Sequence, residues 1–188
     1  RCCHGMGNSI ILDPYDVYRM TTGMGKSMQE LLAASVELNV VDGVILPNLK
    51  MQGTEEACAY LDEEGRCSIH PYRPGICRLF PLGRYYENGG FSYFLQTGEC
   101  AKENRSKIKV SKWIDTPDLT RNQQFTLQWH DLLHAMEERL TGEDEGKQRE
   151  ENLLLLRLFY LLPYEGTIDF YTQFTERMEH WNGQNGQI

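Results

Sequence analysis

Six cysteines, Cys2, Cys3, Cys58, Cys67, Cys77 and Cys100, are the residues of this chain whose type and grouping could do chemistry. Thiolate sulfur is a soft donor that holds zinc, holds iron and builds iron–sulfur clusters. The alternatives are disulfides and inert buried thiols. Adjacent Cys2 and Cys3 cannot readily bond to each other without strain. All six lie within the first 100 of 188 positions, and a chain of that length buries a core without covalent staples. One local metal site fits this segregation better than scattered bridges. The spacings themselves, eight residues between Cys58 and Cys67, nine between Cys67 and Cys77 and 22 between Cys77 and Cys100, match no zinc-ribbon pattern.

Other side chains near the cysteines have weaker claims. His4 and His70 could add nitrogen ligands, but the bland reading of His70, a turn residue beside Pro71 and Tyr72, is preferred. Arg73 and Arg78 flank Cys77, where their cationic fields would favour thiolate, or they are ordinary ion-paired arginines. Asp62 is read as a turn former. Farther along, His130-Asp131-Leu132-Leu133-His134 sets two imidazoles at i and i+4, the geometry of HExxH proteases, with the shorter Asp where the general base would stand and no third ligand in view. It is read as a pair flanking an apolar helix stripe. Thr22-Gly23-Met24-Gly25-Lys26-Ser27 only superficially resembles a phosphate loop, since Met20 stands where the first glycine is needed. No GxGxxG follows a strand, so a Rossmann-type S-adenosylmethionine site has no local support.

These residues need supports. Asp13-Pro14-Tyr15-Asp16 reads as a helix start ending near Gly23, and Ser27-Met28-Gln29-Glu30 as a capping box opening a second short helix. Val40 to Leu46 reads as one strand, bounded by Pro47. Asp62-Glu63-Glu64-Gly65 is expected to turn a hairpin that puts Cys58 and Cys67 on neighbouring strands. Pro74 is expected to open a brief helical turn carrying Cys77, closed by Pro81. Arg84 to Glu87 and Phe91 to Leu95, joined by Asn88-Gly89-Gly90, give the clearest hairpin signal, with an aromatic face suited to core packing. Phe125, Trp129, Leu132, Met136 and Leu140 mark one helix from about Thr116-Pro117; Leu153 to Leu162 marks a second, buried on several sides; Ile168, Tyr171, Phe174, Met178 and Trp181 mark a third. The run Glu143-Asp144-Glu145 is read as a solvated helix start, and the residues after Trp181 as a frayed tail.

The stretch CAYLDEEGRCSIHPYRPGICRLFP, Cys58 to Pro81, resembles the CxxCxxCC cysteine-cluster family of zinc- or iron-chelating domains, which includes proteins named flagellin lysine N-methylases. Its marks are a cysteine with a following Leu-Asp, a Gly-containing turn, Cys-Ser-Ile, an Arg-Pro step, then Cys-Arg and Phe-Pro. Cys2-Cys3 fit the paired cysteines that end the family's opening motif, whose two earlier cysteines would precede Arg1. The resemblance covers about residues 1 to 100. It implies chelation of zinc, iron or an iron–sulfur cluster by Cys2, Cys3, Cys58, Cys67, Cys77 and Cys100, with two centres as one option. It also raises a methyltransferase-like reading, with a protein substrate, and beside it a noncatalytic metal-dependent interaction module. Whether the chain is an enzyme stays open at this point.

Composition excludes some partners. Nineteen Lys and Arg against 27 Asp and Glu leave a formal charge of −8, which disfavours phosphate backbones and anionic lipid. The longest apolar run is far short of a bilayer span, and no charged-then-apolar leader is read at the start, so the expectation is a soluble, cytoplasmic protein without nucleic-acid or membrane partners. The expected fold class is α+β: a cysteine-cluster unit of short helices and β-hairpins over residues 1–110, packed with a C-terminal helical part over 111–188.

Overall fold

Asp13 opens the first helix as its sequence requires. In the computed structural model, which describes residues 3–98 and 107–185, α1 spans Pro14–Met24, and its capping box is closed by Asp13 and Asp16. Gly25, in the left-handed region at φ 64, ends it. Ser27 and Glu30 form a second capping box that starts α2, Met28–Ala34. The stretch that mimics a phosphate loop is therefore the end of one helix and the cap of the next.

Three antiparallel strand pairs follow. β1 (Val36–Val41) pairs with β2 (Val44–Leu49), β3 (Met51–Gln52) with β4 (Ala57–Cys58), and β5 (Leu82–Glu87) with β6 (Gly90–Leu95). The single strand expected over Val40 to Leu46 is instead the heart of a hairpin. Asp42 and Gly43 take positive φ, 51 and 81, and reverse the chain between Val41 and Val44. The aromatic hairpin forms, its turn made by Asn88 and Gly89, with Tyr86 opposite Phe91 and Arg84 opposite Tyr93, but its aromatics lie outside the core, Tyr85 and Phe94 being exposed. A single 3-10 turn, His70–Tyr72, and the short α3, Gly75–Leu79, lie between the second and third pairs.

The rest is helical: α4 (Val110–Ile114), α5 (Leu119–Leu140), α6 (Glu145–Leu156) running into a π turn (Arg157–Leu161), and α7 (Phe170–Asn185). Phe125, Trp129, Leu132, Met136 and Leu140 share the buried face of α5. Asp144 caps α6, as a solvated acidic start should. The widened π turn ends against Arg177, a buried arginine that donates to the carbonyls of Leu158, Leu162 and Pro163. Ile168 stays outside α7 and 40% exposed.

The sheets and helices form an α+β fold around one apolar cluster. It runs from Leu12, Val17 and Met20 through Val36, Val44 and Leu49 to Phe125, Phe159, Phe170, Phe174 and Trp181. Polar side chains stitch its ends together. The Tyr160 hydroxyl donates to the Leu12 carbonyl at 3.0 Å. Asn152 accepts from the Ile45 N–H at 2.6 Å and donates to the Gly43 carbonyl at 3.2 Å, so α6 clasps the β1–β2 turn. Among the described residues, no helix is long and apolar enough to cross a membrane.

Candidate metal centre

Each described cysteine sits on a segment held by backbone hydrogen bonds. Residues 3–5 lie along β4: the Cys58 N–H donates to the Cys3 carbonyl at 2.8 Å, the Gly5 N–H to the Glu56 carbonyl at 3.0 Å, and His4 bridges Ala57. Cys3 and Cys58 are thus set side by side. Beyond β4 the chain turns, with the Leu61 N–H donating to the Cys58 carbonyl at 2.9 Å. Asp62 then builds the next turn, accepting on Oδ1 from the N–H groups of Glu64 at 3.0 Å and Arg66 at 2.7 Å. That turn returns Cys67 opposite Leu61 in an isolated bridge.

Cys58 and Cys67 are therefore not on neighbouring strands of one hairpin, as the spacing suggested. Cys58 pairs with Met51, and Cys67 with Leu61, because the chain already bends at Cys58 and leaves only a bridge for the next turn to close. Cys77 stands in α3, whose first turn follows Pro74 as expected. The connection from Cys67 to α3 is pinned on α1: Tyr72 lies on Gly23, and Arg19 donates to the Pro71 carbonyl.

The thiols of Cys3, Cys58, Cys67 and Cys77 are all half-buried, and no disulfide joins any two of them. Burial pushes the Cys77 thiol far above its usual range, and the charge of Asp16 and of Cys58, Cys3 and Cys67 pushes it further. Thiols from three other segments thus lie near enough to Cys77 to act on it. Among the described residues, no three His, Cys, Asp or Glu side chains already stand in coordinating positions, so the donors are gathered but not closed into a shell. Cys2 and Cys100, the remaining sequence candidates, lie outside the described residues.

Chain segments that meet in this order, with this donor chemistry, correspond to a known grouping. The model of the CxxCxxCC family, described as a putative zinc- or iron-chelating domain, matches residues 1–128. The chain belongs to that family. Its metal-binding role, with zinc or iron as the metal, follows from the family. The match spans every cysteine and ends inside α5, leaving α6 and α7 beyond it. No curated protein and no solved structure matched the chain.

The other candidates fall away from the cluster. His4 and His70 are exposed. Arg78 is buried and turns to the Asp115 carbonyl at 3.3 Å, and what acts on the Cys77 thiol is burial and negative charge rather than the flanking arginines. His130 stacks on Tyr86 with ring centres 3.8 Å apart, and its Nδ1 faces Asp131 at 3.4 Å. His134 faces Glu138 at 3.6 Å. The two imidazoles line a shallow cavity of about 210 Å³ with Asp42 and Glu137.

Sequence reasoning missed one residue of the site region. Asp16, buried in α1, is pushed well above the carboxylate range by burial and then by the charge of Asp13, and it reaches α3 with a hydrogen bond to Gly75. Its capping position was legible, but nothing in the sequence signals a partner 59 positions away.

Proposed function

We propose that Cys3, Cys58, Cys67 and Cys77, joined by Cys2 and Cys100, hold zinc or iron as thiolates, and that the bound metal fixes the loops that carry them. The observation that supports this reading is that Cys3, Cys58 and Cys67, on three other segments, all lie near enough to the half-buried Cys77 thiol to raise the cost of ionising it. A cation would reverse that balance, because positive charge stabilises the thiolates that otherwise repel one another. Both Cys3 and Cys58 are held on paired backbone, the kind of preformed support that limits the ordering cost of ligation.

Six cysteines exceed the four that one zinc or one iron–sulfur cluster takes, so a single four-thiolate centre leaves two sulfurs for structure or exchange. Mononuclear zinc, mononuclear iron and a cluster draw on the same donors. Metal analysis of anaerobically purified protein, paired with its visible absorption spectrum, separates them: zinc gives no colour, and a cluster gives iron with sulfide and broad charge-transfer bands. Protein lacking both metals after such purification overturns the proposal. Methyl transfer to a protein draws no support from the family's description, so the reading stops at chelation.

A further inference from the structure

Asp16 is only 3% exposed, at the third position of α1, and it serves two elements at once. Its Oδ2 accepts from the Asp13 N–H at 3.2 Å, completing the α1 capping box. Its Oδ1 accepts from the Gly75 N–H at 2.6 Å. Gly75 is the first residue of α3, whose own cap, Pro74, offers no side-chain acceptor. A helix of five residues has little stability alone, and its leading amides need an acceptor from elsewhere. Cys77 follows two residues later, in the same short helix.

We infer that Asp16 is a positioning residue for the thiol cluster: its carboxylate ties α1 to the first turn of α3 and so sets where Cys77 stands relative to Cys3, Cys58 and Cys67. The inference rests on the cluster being the metal centre for its meaning, while its test also has an arm that needs no metal. The bond is made from a buried helix at the edge of the apolar core, so it transmits the rigidity of α1 to a segment that otherwise consists of turns.

Two substitutions separate placement from charge. Asp16→Asn keeps an oxygen for the Gly75 N–H and removes the negative charge, whereas Asp16→Ala removes both. The reduced chain is pulsed with iodoacetamide under native conditions, each cysteine is quantified by peptide mass spectrometry, and metal per chain is measured in parallel. Asp16→Ala is expected to raise Cys77 labelling relative to Cys58 and Cys67 by roughly tenfold, the factor set by losing one hydrogen bond and leaving its donor unsatisfied. Its metal content should fall, and Asp16→Asn should stay within about twofold of the parent, the bond being retained. An equal rise in both variants would assign the effect to charge and overturn the inference, as would a rise at all cysteines or no rise at all. Should Asp16→Ala fail to fold, Gly75→Pro deletes the donor at the other end of the same bond. Proline is compatible with the first helical position, and Pro74 already has the extended ψ of 153 that precedes one. Gly75→Pro must then show the same selective exposure of Cys77, and its absence would overturn the inference. Parent protein without metal would sink the chelation reading alone, leaving the labelling comparison intact.

Discussion

Replacing Gly23 with alanine sets two effects of opposite sign against each other. Gly23 is inside α1, where alanine is favoured over glycine by about 0.5–1 kcal/mol. On propensity alone the variant should gain stability. A β-carbon there, however, would stand 2.3 Å from Cδ1, 2.4 Å from Cε1 and 2.8 Å from Cγ of Tyr72. Carbon atoms settle near 3.5 Å, so the ring must withdraw by about 1 Å. Because Cγ is among the overlapping atoms, the tip of the ring cannot absorb the clash, and the 3-10 turn of His70–Tyr72 has to move with it. Overpacking of this kind costs about 1–3 kcal/mol. The steric effect wins, with a net loss of about 1–2 kcal/mol, or roughly 2–8 °C in Tm for a chain of this size. The same turn connects Cys67 to α3, so metal release to a competing chelator should also quicken. Urea and thermal unfolding of Gly23→Ala, Tyr72→Ala and the double variant give the coupling directly, expected at about 1–3 kcal/mol in favour of the double variant. A Gly23→Ala protein that is more stable than its parent would refute the reasoning.

Asn152→Ala removes the side chain's bonds to the half-buried Ile45 N–H and to the carbonyl of the exposed Gly43, which water can reach, and should cost about 1–2 kcal/mol in denaturant unfolding; a cost below about 0.5 kcal/mol would show that the clasp is unimportant. Tyr160→Phe keeps the ring and removes the bond to the Leu12 carbonyl, with an expected loss of about 1–2 kcal/mol. Cys77→Ser should lower metal per chain and thermal stability together, and addition of zinc or iron to chelator-treated parent should restore stability that it fails to restore in the variant. At Asp169, burial pushes the carboxyl up, but the Thr172 N–H and the Arg121 guanidinium outweigh it and hold the group below its ordinary 3.8. Its contribution is present above that value and fades as pH falls through the lowered folded pKa; with the side chain 44% exposed and solvent-screened, Asp169→Asn should cost no more than about 1 kcal/mol at neutral pH.

The helices were legible because each carries its own boundary chemistry. Asp13-Pro14 and Ser27 with Glu30 state where α1 and α2 begin, and the apolar spacing of α5 states which face turns inward. The β1–β2 hairpin was missed although Asp42-Gly43 is a strong turn pair, since the uniformly apolar flanks Val40-Val41 and Val44-Ile45 read as one continuous strand. In the cysteine region the turns at Asp62 and Pro74 were readable from local residues, and the partners of the strands were not. Cys58 takes its neighbours from Met51 and Cys3, contacts fixed by tertiary packing rather than by any turn between them. The same holds for Asp16, whose local role as a cap is written in its neighbours and whose reach to Gly75 is not.

The boundary of the family match has a practical consequence. It falls after Gln128, in mid-helix, one residue short of Trp129. A protein trimmed there would keep every thiol and yet lose Trp129, Phe159, Tyr160, Phe170 and Phe174, buried members of the same apolar cluster as Leu12, Val17 and Met20. The chelating segment borrows its interior from sequence that the family description does not cover, so a fragment cut at that border should collapse or aggregate, and the last helices must accompany the cysteines in any preparation meant to carry metal.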